Sequence, residues 1–123
     1  MTIILKKADN KEIREIIKIA KNLKEWFTKK AVSNIKVDCS VNNTFVVKQK
    51  ENVVGFLCYS AKDGAIILNW MGVKKEFQRG GVGGLLIKEL TKISKSVGVK
   101  TIQVETLTEK ETYLPYQQTR NFY

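Results

Sequence analysis

Gln78-Arg79-Gly80-Gly81-Val82-Gly83 is the stretch that decides how this chain is read. It follows an apolar run from Ala65 to Val73 and opens an amphipathic run from Val82 to Val97. Gly80, Gly81, Gly83 and Gly84 strip the side chains from what reads as a strand-to-helix turn. The first N–H groups of a helix have no partner within it, so such a turn aims bare donors outward. The helix dipole adds about half a positive charge at that end, and Arg79 adds a full one. The chemistry is that of a phosphate cradle. A P-loop would need Lys-Ser or Lys-Thr after the spaced glycines, and neither follows. A dinucleotide fingerprint started from Gly81 and Gly83 would need a third glycine where Leu86 stands.

Outward from the loop, the rest of the chain reads as alternating elements. Thr2 to Lys6 predicts a short strand. Asp9 with Glu12 three residues later has the form of a capped helix start. Ile13, Ile16, Ile17, Ala20, Leu23 and Phe27 then make an apolar stripe, which predicts a helix of roughly five turns. Thr28 predicts the cap of a second, weaker helix from Lys29 that fades before Asn42-Asn43. Thr44–Gln49 and Val53–Ala61 are β-branched and aromatic runs separated by Lys50-Glu51-Asn52, a hairpin signal. Lys62-Asp63-Gly64 turns the chain into Ala65–Val73, which completes an antiparallel meander. Gly98 stops the helix that follows the glycine loop. Lys100 to Thr106 is then a strand reached by a crossover, and so parallel to its predecessor.

The motif Gln78-x-x-Gly81-x-Gly83, with Gly81 eight residues past Val73, resembles the signature of the GCN5-related N-acetyltransferase family. The element order β-α-α-β-β-β-α-β-α is similar to that of the family's mixed α/β fold through its first five strands. The resemblance implies one domain over residues 1–123, with the last two strands of the family pattern missing. It implies acetyl-coenzyme A as cofactor, its pyrophosphate held by Gln78, Arg79, Gly80, Gly81, Val82, Gly83 and Gly84. In this fold the fourth and fifth strands splay apart, and the pantetheine arm lies in the wedge against the fourth strand, much as an added strand would. The implied reaction is direct attack of a primary amine, on a small molecule or a protein, on the thioester. A base must first make that amine neutral, and a backbone N–H of Met71 or Val73 would stabilise the oxyanion.

Tyr116 to Tyr123 resembles the start of the family's fourth helix, and Tyr123 falls on the tyrosine that often protonates the leaving thiolate. Tyr116 stands where many members place an asparagine. The fourth strand, Ala65-Ile66-Ile67-Leu68-Asn69-Trp70-Met71-Gly72-Val73, carries none of the acid that often serves as base. Glu105 is then the nearest acidic candidate and Glu76 another; Asn69 and Trp70 fall where a substrate pocket would open. A sheet without its last strands exposes an edge. Either the frame is truncated or a second protomer covers that edge, so a homodimer is one expected partner.

Composition bounds the rest. An apolar fraction of 43% in 123 residues is enough for one core. No apolar stretch reaches about 18 residues, and Met1-Thr2-Ile3-Ile4-Leu5-Lys6 lacks signal-peptide form; the expectation is a cytoplasmic protein without a membrane partner. Histidine is absent and Cys39 and Cys58 lack metal spacing, which argues against a zinc site or a histidine triad. A net charge of +10 suits an anionic cofactor. Nucleic acid is the other partner such charge suggests, but the basic residues are dispersed and no recognition motif accompanies them. Two further readings therefore stand beside the enzyme: a domain that binds coenzyme A without turnover, and a basic nucleic-acid-binding module.

Overall fold

The computed structural model of the chain describes residues 3–99 and 101–104. Its elements run β1 (Ile3–Lys7), α1 (Asn10–Asn22), α2 (Lys29–Val41), β2 (Asn43–Gln49), β3 (Asn52–Lys62), β4 (Ala65–Val73), α3 (Val82–Ser96) and β5 (Ile102–Val104). A short 3₁₀ turn, Lys75–Phe77, lies between β4 and α3. The five strands form one sheet in the order β1-β2-β3-β4-β5. The pairs β1–β2, β2–β3 and β3–β4 are antiparallel, whereas β4–β5 is parallel, with Ile66 opposite Ile102. This is the mixed α/β arrangement the sequence predicts.

The expected helix ends do not all survive. The apolar stripe that predicts a helix through Phe27 overshoots, because α1 stops at Asn22. Leu23 leaves the helical region, and its carbonyl accepts from both Trp26 and Phe27 N–H, closing a tight turn. Leu23 and Phe27 are still buried, so the apolar stripe continues through residues that pack in the core without being helical. The weaker helix is a full 13 residues. Thr28 caps it by accepting Ala31 N–H at 3.0 Å, and Ala31, Ile35 and Cys39 bury one face at a spacing of four. At the β3–β4 turn Asp63 and Gly64 both have positive φ, 52° and 77°, the type I′ geometry that matches strand twist.

Helices cover both faces of the sheet. On one, Ile16, Ile19, Ala20 and Leu23 of α1 and its C-terminal turn and Ile35 and Cys39 of α2 pack on Val46, Val53, Phe56, Cys58 and Trp70. On the other, Val82, Leu86, Ile87 and Leu90 of α3 pack on Val47, Val54, Leu57, Ile66, Leu68 and Val73. Cys39 and Cys58 are free thiols, both buried on the α1/α2 face.

β4 carries an irregularity that sets the geometry of the site. Cys58 pairs with Trp70 but Tyr59 pairs with Leu68, so Asn69 is an extra residue, a β-bulge. Ile66 and Leu68 face α3 before it, and Met71 and Val73 face α3 after it. Strict alternation from Ala65 would have placed Trp70 on the α3 face. The bulge puts it on the α1/α2 face instead.

The α1 end of the sheet is fixed by charge. Asp9 and Glu12 form a reciprocal capping box. The Glu12 carboxylate, almost fully buried, also pairs with Lys6 at 3.0 Å and Lys48 at 2.9 Å, joining α1 to β1 and β2. Burial alone would raise the Glu12 carboxyl. The Asp9 N–H and the ammonium groups of Lys48 and Lys6 outweigh it and hold the carboxyl at about 2, below its ordinary 4.5. A depressed folded value stabilises the fold above the unfolded value and loses that stabilisation as pH falls through the folded one. Replacing Glu12 by Gln should therefore cost about 2 kcal/mol at pH 7, with the gap in melting temperature closing between pH 4.5 and 2. Melting curves across that range test it, and a gap undiminished at pH 2 would remove Glu12 ionisation as the cause.

Candidate cofactor-binding site

The glycine loop is where sequence reasoning placed it, and its backbone is built for donation. Lys74 N–H bonds Val54 C=O at 2.9 Å, carrying the sheet one residue beyond β4. The 3₁₀ turn follows, and Gly80 N–H closes on Phe77 C=O at 3.1 Å. Gly81 is the N-cap of α3, left-handed at φ 85°, with no side-chain cap. Leu85 N–H makes the first intrahelical bond, to Gly81 C=O. The N–H groups of Val82, Gly83 and Gly84 then have no helical acceptor, and no acid stands in the first turn. A Cβ built on Gly81 would meet nothing within 4 Å. The space beside Gly81 is open, and Arg79 and Gly80 are exposed next to it.

Val82 is the buried member of this loop, at 2% exposure. It rests on Gly55 of β3, where an added Cβ would lie 2.7 Å from Val82 Cγ1. Gly55 therefore sets how closely the start of α3 approaches the sheet. On the opposite face Gly72 plays a similar part, since a Cβ there would fall 2.6 Å from the Phe56 ring.

The edge of β4 continues the site. Because Lys74 N–H points to β3, alternation turns the N–H groups of Met71 and Val73 the other way, toward the β5 side. The described pairing with β5 covers only Ile66–Leu68. It does not reach the N–H groups of Met71 and Val73. Gln78 has its side chain turned back, donating from Nε2 to Val73 C=O at 3.1 Å. It ties the loop to the end of β4.

Glu76 is exposed on the 3₁₀ turn. With Lys74, Lys75, Ile19, Asn22 and Leu23 it lines a cavity of about 190 Å³, smaller than typical pockets for a sizeable ligand. Asn69 is buried and bonded to Ser60. Glu105, Tyr116 and Tyr123 lie outside the described residues. One acid that sequence reasoning passed over is brought to β4 by tertiary packing: Asp38 of α2 accepts from Trp70 Nε1 at 2.7 Å. Its only sequence signal was a carboxylate in a helix with no assigned face.

Comparison with known proteins agrees with this geometry. The family model of the acetyltransferase (GNAT) domain matches residues 40–123. A protein described as an acetyltransferase of the GNAT family from Desulfovibrio desulfuricans is similar in structure, with a TM-score of 0.83 at 15% identity, over 98% of this chain and 82% of that one. The PaiA N-acetyltransferase from Thermoplasma acidophilum, solved with coenzyme A, gives 0.75 at 13% identity over 98% and 89%. Ribosomal-protein-alanine N-acetyltransferase from Brucella melitensis gives 0.72 at 11% identity over 99% and 88%. At such identities these likenesses speak for the fold. No sequence among the curated proteins matches significantly.

The contact between Gly55 and Val82 is open to a direct check. Gly55→Val would push the start of α3 off the sheet and destabilise the fold by about 1–3 kcal/mol, as overpacking does. Thermal melting should fall by several degrees. An unchanged midpoint would show that Val82 can move aside.

Proposed function

The chain belongs to the GNAT acetyltransferase family, and from that premise we propose that it transfers an acetyl group from acetyl-coenzyme A to a primary amine. The observation that carries the cofactor assignment is the left-handed, uncapped Gly81 opening α3 onto three free N–H groups. An anion at a helix start needs donors without competing acceptors, and that is the donor set present. Val82, Gly83 and Gly84 would hold the pyrophosphate through backbone N–H, with Gly80 and Gly81 leaving room and Arg79 adding charge. When bound, the cofactor supplies a thioester carbonyl as the electrophile.

The chain's own residues do the rest. The outward amides of Met71 and Val73 offer donors to the pantetheine arm and to the oxygen on which charge develops. Gln78 holds Val73 C=O and so keeps the loop in line with that edge. Tyr123 is proposed to protonate the departing thiolate and Glu105 to take the proton of the amine. The acceptor is a small molecule or a protein amine. A basic surface steers the anionic cofactor inward, and among the described residues no helix is long and apolar enough to cross a membrane.

Calorimetric titration with acetyl-coenzyme A should show saturable one-site binding to the wild-type chain. Gly81→Glu should abolish it, because a side chain and a negative charge enter the cradle. Gln78→Ala, which removes a tie without touching the phosphates, should weaken binding by about tenfold, the scale of one hydrogen bond. Full affinity in a folded Gly81→Glu protein would overturn the cradle, and full affinity in Gln78→Ala would remove the strut. Binding without thiol release for any amine would support a non-catalytic domain instead.

A further inference from the structure

The face of the sheet opposite α3 holds an acid that the reading above leaves unused. Asp38 lies in the last turn of α2, where no basic residue stands. The carbonyl end of a helix disfavours a carboxylate, so local structure gives no reason for one. Its Oδ2 accepts from Trp70 Nε1 at 2.7 Å. Trp70 is itself fixed, buried at 7% exposure and edge-on to Phe27 with ring centroids 6.2 Å apart. A buried indole needs an acceptor, but a neutral hydroxyl or carbonyl would serve. Here a charge has been brought to the middle of β4.

Among the described residues that charge has no ionic partner. Among the described residues no Lys or Arg nitrogen lies within 4.0 Å of Asp38, although the chain has 22 such residues. The ionisable groups beside it are the buried thiols of Cys39 and Cys58. No buried side-chain oxygen lacks a partner. Asp38 is only half-buried, and Oδ2 rather than Oδ1 is the oxygen that Trp70 occupies.

The position suits an acceptor amine. The phosphate cradle opens at the start of α3, and α3 covers one face of the sheet. The other face is packed by α1 and α2, and on it the half-buried Asp38 is bonded to Trp70, the residue before Met71, so an amine at the β4 edge would meet that carboxylate from the solvent side of this layer. The geometry points to Asp38 as the residue that receives the ammonium of the acceptor through Oδ1, held in place by Trp70. This assignment rests on the acetyltransferase reading. One carboxylate on a surface of net charge +10 matches one ammonium. The substrate class is therefore a primary amine bearing a single positive charge, and polyamines are disfavoured by repulsion from the remainder.

Asp38→Asn separates charge from structure, because the amide oxygen still accepts from the indole. With acetyl-coenzyme A at saturation and thiol release as readout, ethanolamine, an alanine-initiated tripeptide amidated at its C-terminus and spermidine serve as probes. The wild-type chain should use the first two with higher kcat/KM than spermidine. Asp38→Asn should raise their KM about tenfold or more, the scale of a charge-assisted hydrogen bond, with kcat little changed and the calorimetric Kd for coenzyme A unmoved. Trp70→Phe, which frees the carboxylate to wander, should raise KM by a smaller factor. An unchanged KM in Asp38→Asn, a preference for spermidine, or no thiol release with any probe from a chain that binds the cofactor would each overturn the assignment. Failure to bind coenzyme A would instead bring down the acetyltransferase reading beneath it.

Discussion

A missing side chain on β3 governs the end of this molecule where we propose that the cofactor binds. Gly55 lets Val82 come down onto the sheet, and Val82 is the first residue of α3. The height of that helix above the sheet, and so the position of its free N–H groups, follows from one contact. Gly81 then turns left-handed because the chain must swing from the 3₁₀ turn into a helix already fixed by Val82. Gln78 closes the same loop from the other side by holding Val73 C=O. Three local constraints of different kinds, a close approach, a backbone conformation and a hydrogen bond, converge on one short turn.

Much of this was legible in the sequence because it is local. Glycine spacing, a β-branched run before it and an apolar stripe after it each depend on near neighbours only. The parallel β4–β5 pairing followed from a crossover connection, and the capping box at Asp9 from two residues three apart. What was not legible depends on distant packing. Leu23 and Phe27 belong to the core by burial alone, so periodicity extended α1 past its true end. The Asn69 bulge shifts the alternation of β4 without any glycine or proline to announce it. Asp38 reaches Trp70 across 32 positions of sequence, and no spacing rule links the two.

The two ends of the sheet are stabilised by unlike means. Near β1, a buried carboxylate is held between two lysines and a capping box, and polar bonds tie helix to strand. Near α3 the contacts are apolar, from Val82 through Leu86 and Leu90 onto Val54, Leu57 and Val73. Acid acts on the first kind of contact and leaves the second largely untouched. The proposed site is therefore carried by the part of the structure less sensitive to acid, although the ligand proposed for it is an anion.

Cys39 and Cys58 lie together under α2, and the α3 layer of the described structure contains no thiol. A thiol-reactive reagent can reach either sulfur only when α2 lifts from β3. The rate of labelling in the native protein thus becomes a clock for the opening of one layer, blind to motion in the other. Nature has in effect left an asymmetric chemical probe inside the domain, able to tell which half of it breathes.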